Sequence, residues 1–236
     1  MISSIPKWLG NLFETSLRPN MDVVETTYVS TQIKKIRLRG DISKMNFQLG
    51  YANVIRVSET EFRNYTVAAY DDAGGTIDIL CHIHGKGTGS RFMDGLRAGD
   101  QLYMSIPRGK KFYEGAVSQY VLFGDETSLG LANAFLPTLK SNKHDYRFYF
   151  ELDEENRRAP DALELDNVAV FPKSGTFRSE PELRTLPIFA SDRWQEANFV
   201  LTGNVASIQN IRKVLKGWAR GKVSFQGYWL EGKQGL

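Results

Sequence analysis

The sequence predicts two folded parts in succession: an antiparallel β-barrel over residues 19–116 and a parallel α/β domain over 117–236, preceded by a short helix within 1–18. Three observations carry this. Between Asp22 and Gly115 the apolar runs are short, rich in β-branched residues and separated by turn residues, with room for one small helix. Beyond Val117 the pattern becomes strand, tight turn, helix, repeated, which is how a parallel sheet is built. At 236 residues, 42% hydrophobic and 12% aromatic, the chain can bury a sizeable core.

In the N-terminal stretch Ile5, Trp8, Leu9, Leu12 and Phe13 fall at helical spacing, so an amphipathic helix docked on the body is expected. Val23–Ser30, Thr31–Leu38 and Ala52–Val57 read as strands, with Arg39-Gly40-Asp41 as punctuation. Tyr65–Tyr70 and Thr76–Ile83 flank an Asp- and Gly-rich turn and form a hairpin. Alternation puts Ile77, Ile79, Cys81 and Ile83 on one face of its second strand and Asp78, Leu80, His82 and His84 on the other. Ser90–Leu96 suits a short helix, Ala98-Gly99-Asp100 a turn, and Gln101–Ile106 a last barrel strand before Pro107-Arg108-Gly109. In the second part Tyr120–Phe123, Tyr146–Leu152, Asn167–Phe171 and Ala197–Leu201 read as buried strands. One helical pattern follows Gly124–Ser128 and is bent or ended by Pro137; another runs from about Val205 to Trp218. Residues 153–165 and 173–185 read as surface loops.

Composition narrows the function classes. Thirty Lys and Arg against 27 Asp and Glu give a net charge of +3, too mild for a nucleic-acid track, and no basic block is present. The lone Cys81 excludes an intrachain disulfide framework and a cysteine-ligated cluster, and it reads as a small buried side chain. The N-terminus lacks the basic head and apolar run of a signal peptide, and no run is long enough to span a membrane. A cytoplasmic monomer with no membrane or nucleic-acid partner is expected. His82 and His84 share a strand face, but His144 is the only third histidine, so no metal site is expected.

The chemistry concentrates between Phe62 and Ser90. Arg63, Asn64, Tyr65 and Thr66 place a planar phosphate donor, an aromatic ring and a hydroxyl within four residues, a set that can hold a flavin. Alternation puts Arg63 and Tyr65 on one face and Thr66 on the other, unless a bulge intervenes. One hairpin later, Gly85, Gly87 and Gly89 let backbone amides approach an anion, and Ser90 can cap the helix whose N-terminus favours phosphate. Taken singly, both stretches are also ordinary strand starts and turns; their spacing makes them a pair.

In order along the chain, Arg63-x-Tyr65-Thr66, His84-Gly85-x-Gly87-x-x-Ser90, Gly99-Asp100, Pro107-Arg108-Gly109, Gly124-Asp125-Glu126-Thr127-Ser128, Gly203-Asn204-x-x-Ser207-x-x-x-Ile211-Arg212 and Gly227-Tyr228-Trp229 resemble the motifs of the siderophore-interacting branch of the ferredoxin–NADP reductase-like flavoproteins. The resemblance runs from about residue 24 to Trp229. It implies a barrel binding FAD and an α/β domain binding NADPH or NADH. It also implies Tyr65 and Thr66 at the flavin ring, and His82, His84, Thr88, Gly89 and the rest of the loop around the cofactor. Gly124, Asp125, Glu126, Thr127, Ser128, Gly203, Asn204 and Ser207 then face the nicotinamide nucleotide, at the carboxyl ends of the strands. The implied activity is reduction of a ferric siderophore to release Fe(II). A general NAD(P)H diaphorase, a ferredoxin-linked reductase and a flavin-free siderophore carrier stand as alternatives.

Several residues keep two readings. Asp125 and Glu126 are an acid pair or, on an exposed turn, caps. Trp229 packs a core or covers the flavin. Arg157 and Arg158 meet a 2′-phosphate or are solvated. Lys86, Arg91, Arg108, Lys110 and Lys111 are surface charges or a basic mouth for an anionic chelate. The chain departs from the family at Thr88-Gly89, where Pro-Ala is common, and at Asn204, where Glu is common; it is also short for the family.

Overall fold

A computed structural model describes residues 18–173 and 175–233. The helix expected at the N-terminus lies outside the described residues. The chain divides after Tyr113 into two compact units.

The first unit contains β1 (Met21–Tyr28), β2 (Ile33–Gly40), β3 (Tyr51–Arg56), β4 (Phe62–Tyr65), β5 (Val67–Asp71), β6 (Thr76–His82), β7 (Gln101–Leu102) and β8 (Arg108–Gly109), with one helix, α1 (Thr88–Gly95), between β6 and β7 in the chain. Pairing is antiparallel throughout, in a five-stranded sheet ordered β5-β6-β2-β1-β7 and a three-stranded sheet ordered β4-β3-β8. The two sheets join at both margins. Only Thr66 separates β4 from β5, and the chain beyond β7 runs beside β3, where Met104 bridges Ile55 and the Ser105 amide donates to Val54 O at 2.9 Å. Pairing around the ring leaves few edge groups exposed, which is the physical advantage of a barrel.

The sheet change at Thr66 splits the single strand expected over Tyr65–Tyr70. The register then slips between Val67 and Ala69 opposite β6, a bulge that turns the strand from one sheet into the other. The strand expected over Gln101–Ile106 is regular only at Gln101–Leu102; its remainder is the bridging stretch. The alternation along β6 holds, with Ile77, Ile79 and Cys81 in the core beside Ile36, Leu38, Met93 and Leu96. On the outer face Asp78 takes two bonds from Arg37, at 2.7 and 2.8 Å.

The second unit is a five-stranded, all-parallel sheet ordered β11-β10-β9-β12-β13, from β9 (Gln119–Gly124), β10 (Asp145–Leu152), β11 (Val168–Pro172), β12 (Asn198–Asn204) and β13 (Val223–Trp229). Its longer helices are α2 (Leu129–Ser141) and α3 (Val205–Leu215). The strand order reverses direction between β9 and β12, so the turns at Gly124 and Gly203 leave adjacent strands at the switch point. Pro137 does not end α2, which continues to Ser141. Residues 173–185 are not simply a surface loop. Phe177 and Leu183 enter the core with Phe123, Phe199 and Ile211, each on a short helical turn that polar neighbours conceal in the sequence. Within 153–165, Asn156, Ala159 and Leu165 are likewise buried. Strand β13, with alternating Val223, Phe225 and Tyr228 interrupted by polar residues and Gly227, has only a weak strand signature.

Ile79 is fully buried at the centre of the barrel core. Ile79→Ala should therefore lower the stability of the first unit by roughly 2–5 kcal/mol, read as an earlier urea transition.

Candidate functional site

The glycine loop and the Arg-Tyr strand are pressed together in the first unit. Arg63 and Tyr65 point to one side of β4 and Asn64 is exposed on the other. A Cβ on Gly89 would lie 2.9 Å from Arg63 Cγ and 3.2 Å from the Tyr65 hydroxyl, so only glycine fits between α1 and that strand. Arg63 is held by its own strand: Nη1 donates to Phe62 O and Nη2 to Glu61 Oε1, each at 2.8 Å. Glu61, which no sequence signal singles out, also accepts a hydrogen bond from Thr88. That bond and the Arg63 charge hold its carboxyl below the usual carboxylate range. Thus β4 and the first residue of α1 share one carboxylate.

The loop itself is open. Gly85 and Gly87 take φ values of +74° and +78°, and a Cβ on either would meet nothing within 4 Å. Helix α1 starts two residues earlier than expected, with Gly87 at its N-cap and no side-chain cap. Ser90 is therefore not the cap; it lies inside the first turn, and its buried Oγ accepts from the Gly85 amide at 3.1 Å, folding the loop back on the helix. His84 Nδ1 accepts from the Lys86 amide at 3.2 Å, and the His82 and His84 rings lie 5.5 Å apart. Burial pushes the Tyr65 hydroxyl pKa up, so it stays protonated. Thr66 is half-buried at the change of sheet. Lys86 is exposed in the loop, whereas Arg108, Lys110 and Lys111 are exposed at β8 and just after it, beside β3.

In the second unit, the switch-point turns are tied by Asp125. Its carboxylate accepts from the Thr127 amide at 2.9 Å and the Thr127 hydroxyl. It also accepts from the Asn204 amide at 2.9 Å and from Trp229 Nε1 at 2.7 Å. The ends of β9, β12 and β13 thus meet on one side chain. Gly203 is obligatory there: its φ is +97° and a Cβ would sit 2.4 Å from Asp125 Oδ2. The exposed turn expected for Asp125-Glu126 is instead buried, because both carboxylates have partners inside. Burial raises the Asp125 pKa, Glu126 adds to this, and the Thr127 and Trp229 donors oppose it.

Glu126 Oε1 accepts from the Asp153 amide at 2.8 Å and Asn156 Nδ2 at 3.2 Å, and Oε2 lies 2.8 Å from Lys173 Nζ. Lys173 also pairs with Asp153 at 2.8 Å and lies 5.9 Å from the Trp229 ring centroid. Burial works against the Lys173 charge, but the carboxylates of Glu126 and Asp153 outweigh it and raise its pKa. In the capping box Ser128 Oγ accepts from the Asp125 amide at 3.3 Å, and it also accepts from Thr202 Oγ1 at 2.8 Å. Asn204 caps α3 by accepting from the Ala206 amide at 2.8 Å, and its buried Nδ2 has no partner among the described residues. The Ser207 hydroxyl bonds to Glu151, a buried residue that no sequence motif singles out, whose other oxygen has no hydrogen-bond partner among the described residues. Arg157 and Arg158 are exposed, with Arg157 paired to Glu154 at 3.7 Å.

Residues 20–113 match the family model of the oxidoreductase FAD-binding domain. The matched stretch coincides with the barrel and contains Arg63, Tyr65 and the glycine loop. With the α/β unit that follows, the fold class is that of ferredoxin reductase-like proteins. No curated protein matches the chain. Among solved structures, the siderophore-interacting protein SipS from Aeromonas hydrophila aligns with a TM-score of 0.75 at 19% identity, over 92% of this chain and 94% of its own. A ferredoxin–NADP+ reductase mutant from Plasmodium falciparum aligns with a TM-score of 0.70 at 14% identity, over 88% and 95%. An intact type IV self-sufficient cytochrome P450 monooxygenase aligns with a TM-score of 0.71 at 16% identity over 92% of this chain, which spans only 28% of that longer protein. At these identities the likeness is one of fold. Among the described residues no helix is long and apolar enough to cross a membrane.

Burial drives the Glu151 pKa from its usual 4.5 up to about 7, with the Ser207 bond opposing and Asp125 reinforcing the shift. The folded state then holds this proton more tightly than the unfolded chain. Stability from this group is greatest below about pH 4.5 and falls as pH rises towards about 7. Glu151→Gln should shrink that slope and stabilise the second unit above neutral pH by up to roughly 3 kcal/mol, checked by urea titration on either side of neutrality.

Proposed function

We propose that this chain is a FAD-dependent NAD(P)H reductase of ferric siderophores. The observation that carries the flavin site is the close approach of Gly89 to Arg63 and Tyr65, which sets a guanidinium, an aromatic ring and an uncapped helix N-terminus side by side. That set fits FAD. Arg63 and the amides from Gly85 to Ser90 would hold its phosphates, since planar donors and a helix N-terminus both favour phosphate oxygens. Tyr65 would pack on the ring system, its protonated hydroxyl adding no charge. Thr66, Asn64, His82, His84 and Thr88 line the same stretch. FAD, when bound, supplies the electron chemistry, taking a hydride from a nicotinamide and returning electrons singly to an acceptor.

The nicotinamide nucleotide is assigned to the switch-point turns, Gly124–Ser128 and Gly203–Ser207. Two features of the second unit support this. Helix α3 carries no acidic residue in its first turn, and Asn204 Nδ2 stands buried with a donor unspent. Asp125 acts as the tie between the turns rather than as an acid or base. Lys86, Arg108, Lys110 and Lys111 provide positive surface that would draw an anionic ferric chelate. Iron is the substrate here: reduction to Fe(II) weakens its hold on hard oxygen donors and releases it.

The test is anaerobic mixing of the FAD-loaded chain with NADPH or NADH, followed by ferric siderophores with an Fe(II) trap. Bleaching by a nicotinamide and a trap signal are expected. Bleaching with no trap signal across several chelates would favour a different acceptor, such as a ferredoxin-like protein, and a chain that takes up no FAD removes the enzyme reading altogether. Arg63→Ala should weaken FAD retention by about ten- to a hundredfold, the loss of one or two charge-assisted hydrogen bonds; unchanged flavin content would displace the phosphate from this site.

A further inference from the structure

Helix α1 ends on an unexpected partner inside the barrel. Lys34 of β2 shares the inward face with Ile36 and Leu38 and is 1% exposed. Its ammonium donates to three carbonyls of the last turn and its exit: Met93 at 3.1 Å, Asp94 at 2.7 Å and Leu96 at 2.8 Å. Three N–H bonds meet three acceptors, so hydrogen bonding is complete. Among the described residues no carboxylate forms an ion pair with Lys34; the Tyr28 ring lies 5.8 Å from its ammonium, which also feels Arg97, Asp94, the Cys81 thiol and Asp100. Arg97 shares the Asp94 and Leu96 carbonyls from the solvent side, but the Met93 carbonyl is reached by Lys34.

A cation buried with no counter-ion is costly, and an apolar side chain would fill this place at less expense. The negative end of the helix dipole helps to balance it, together with the Asp94 and Asp100 carboxylates. The other end of the same helix is the uncapped turn at Gly87–Ser90, only eight residues away, or about 12 Å along the axis. At that distance in a poorly polarisable interior, the charge is felt at both ends.

We propose that Lys34 is a positioning residue for the flavin phosphate. By clamping the carbonyl end of α1 to β2 it fixes the direction of the helix, and its charge adds to the positive potential at the amide end. This rests on the reading that phosphate lies at the Gly85–Ser90 loop. The device acts on phosphate-bearing ligands and leaves contacts to the isoalloxazine ring alone.

The test compares FAD with riboflavin, which has the same ring and no phosphate, on the FAD-depleted full chain. In Lys34→Met the Kd for FAD should rise about tenfold while that for riboflavin is unchanged. Equal losses for both ligands would show general loosening of the barrel and overturn the proposal, as would no loss for either. A native chain binding riboflavin as tightly as FAD would overturn the phosphate placement itself, and Lys34 would have nothing to position. If Lys34→Met does not fold, Lys34→Gln serves.

Discussion

The first unit depends on one missing side chain. Gly89 allows α1 to lie directly on β4, and that contact sets the Arg63–Tyr65 face, the shared Glu61 carboxylate and the open loop in one place. Any Cβ there would meet Arg63 at 2.9 Å, and Arg63 is itself fastened to the Phe62 carbonyl and Glu61, so it has little freedom to yield. The neighbouring Thr88 adds a hydroxyl that bonds to Glu61, a second tie between the helix and the strand.

The second unit has its own tie, and it is made by the opposite device. Where Gly89 removes bulk, Asp125 gathers donors from three strand ends, and Gly203 clears the space it occupies. The indole of Trp229 is one of these donors, so a residue near the end of the described chain is part of the turn chemistry rather than of a hydrophobic core alone.

Much of this was readable from the sequence, and the failures share a cause. Alternation along β6 and the strand–turn–helix repeats gave the barrel and the parallel sheet, because apolar periodicity is a local property. The partnering of Arg63 with Gly89 needed only the two motifs and a hairpin between them. What was not legible lay in polar residues placed on inward faces. Lys34 looks like any strand lysine beside Lys35, and Glu151 like any carboxylate after an aromatic strand; only the fold shows that each is enclosed. Phe177 and Leu183 were hidden for the converse reason, as isolated apolar residues among charged ones. Thr66 marks a change of sheet that a single β-branched run gives no reason to expect.

The carboxyl edge of the parallel sheet crowds three buried carboxylates, Asp125, Glu126 and Glu151, where an anionic nucleotide is assigned. Left uncompensated, they would repel it. Each is handled differently. Asp125 is surrounded by neutral hydrogen-bond donors. Glu126 faces the Lys173 ammonium at 2.8 Å. Glu151, bonded to the Ser207 hydroxyl, has its pKa pushed by burial up to about 7 and so carries a proton for much of its population near neutral pH. The field left at the start of α3 is then closer to that of a bare helix N-terminus than the count of acidic residues suggests. Raising the pH above neutrality adds the Glu151 charge beside Ser207. Nucleotide binding at this edge should therefore weaken as that proton is lost.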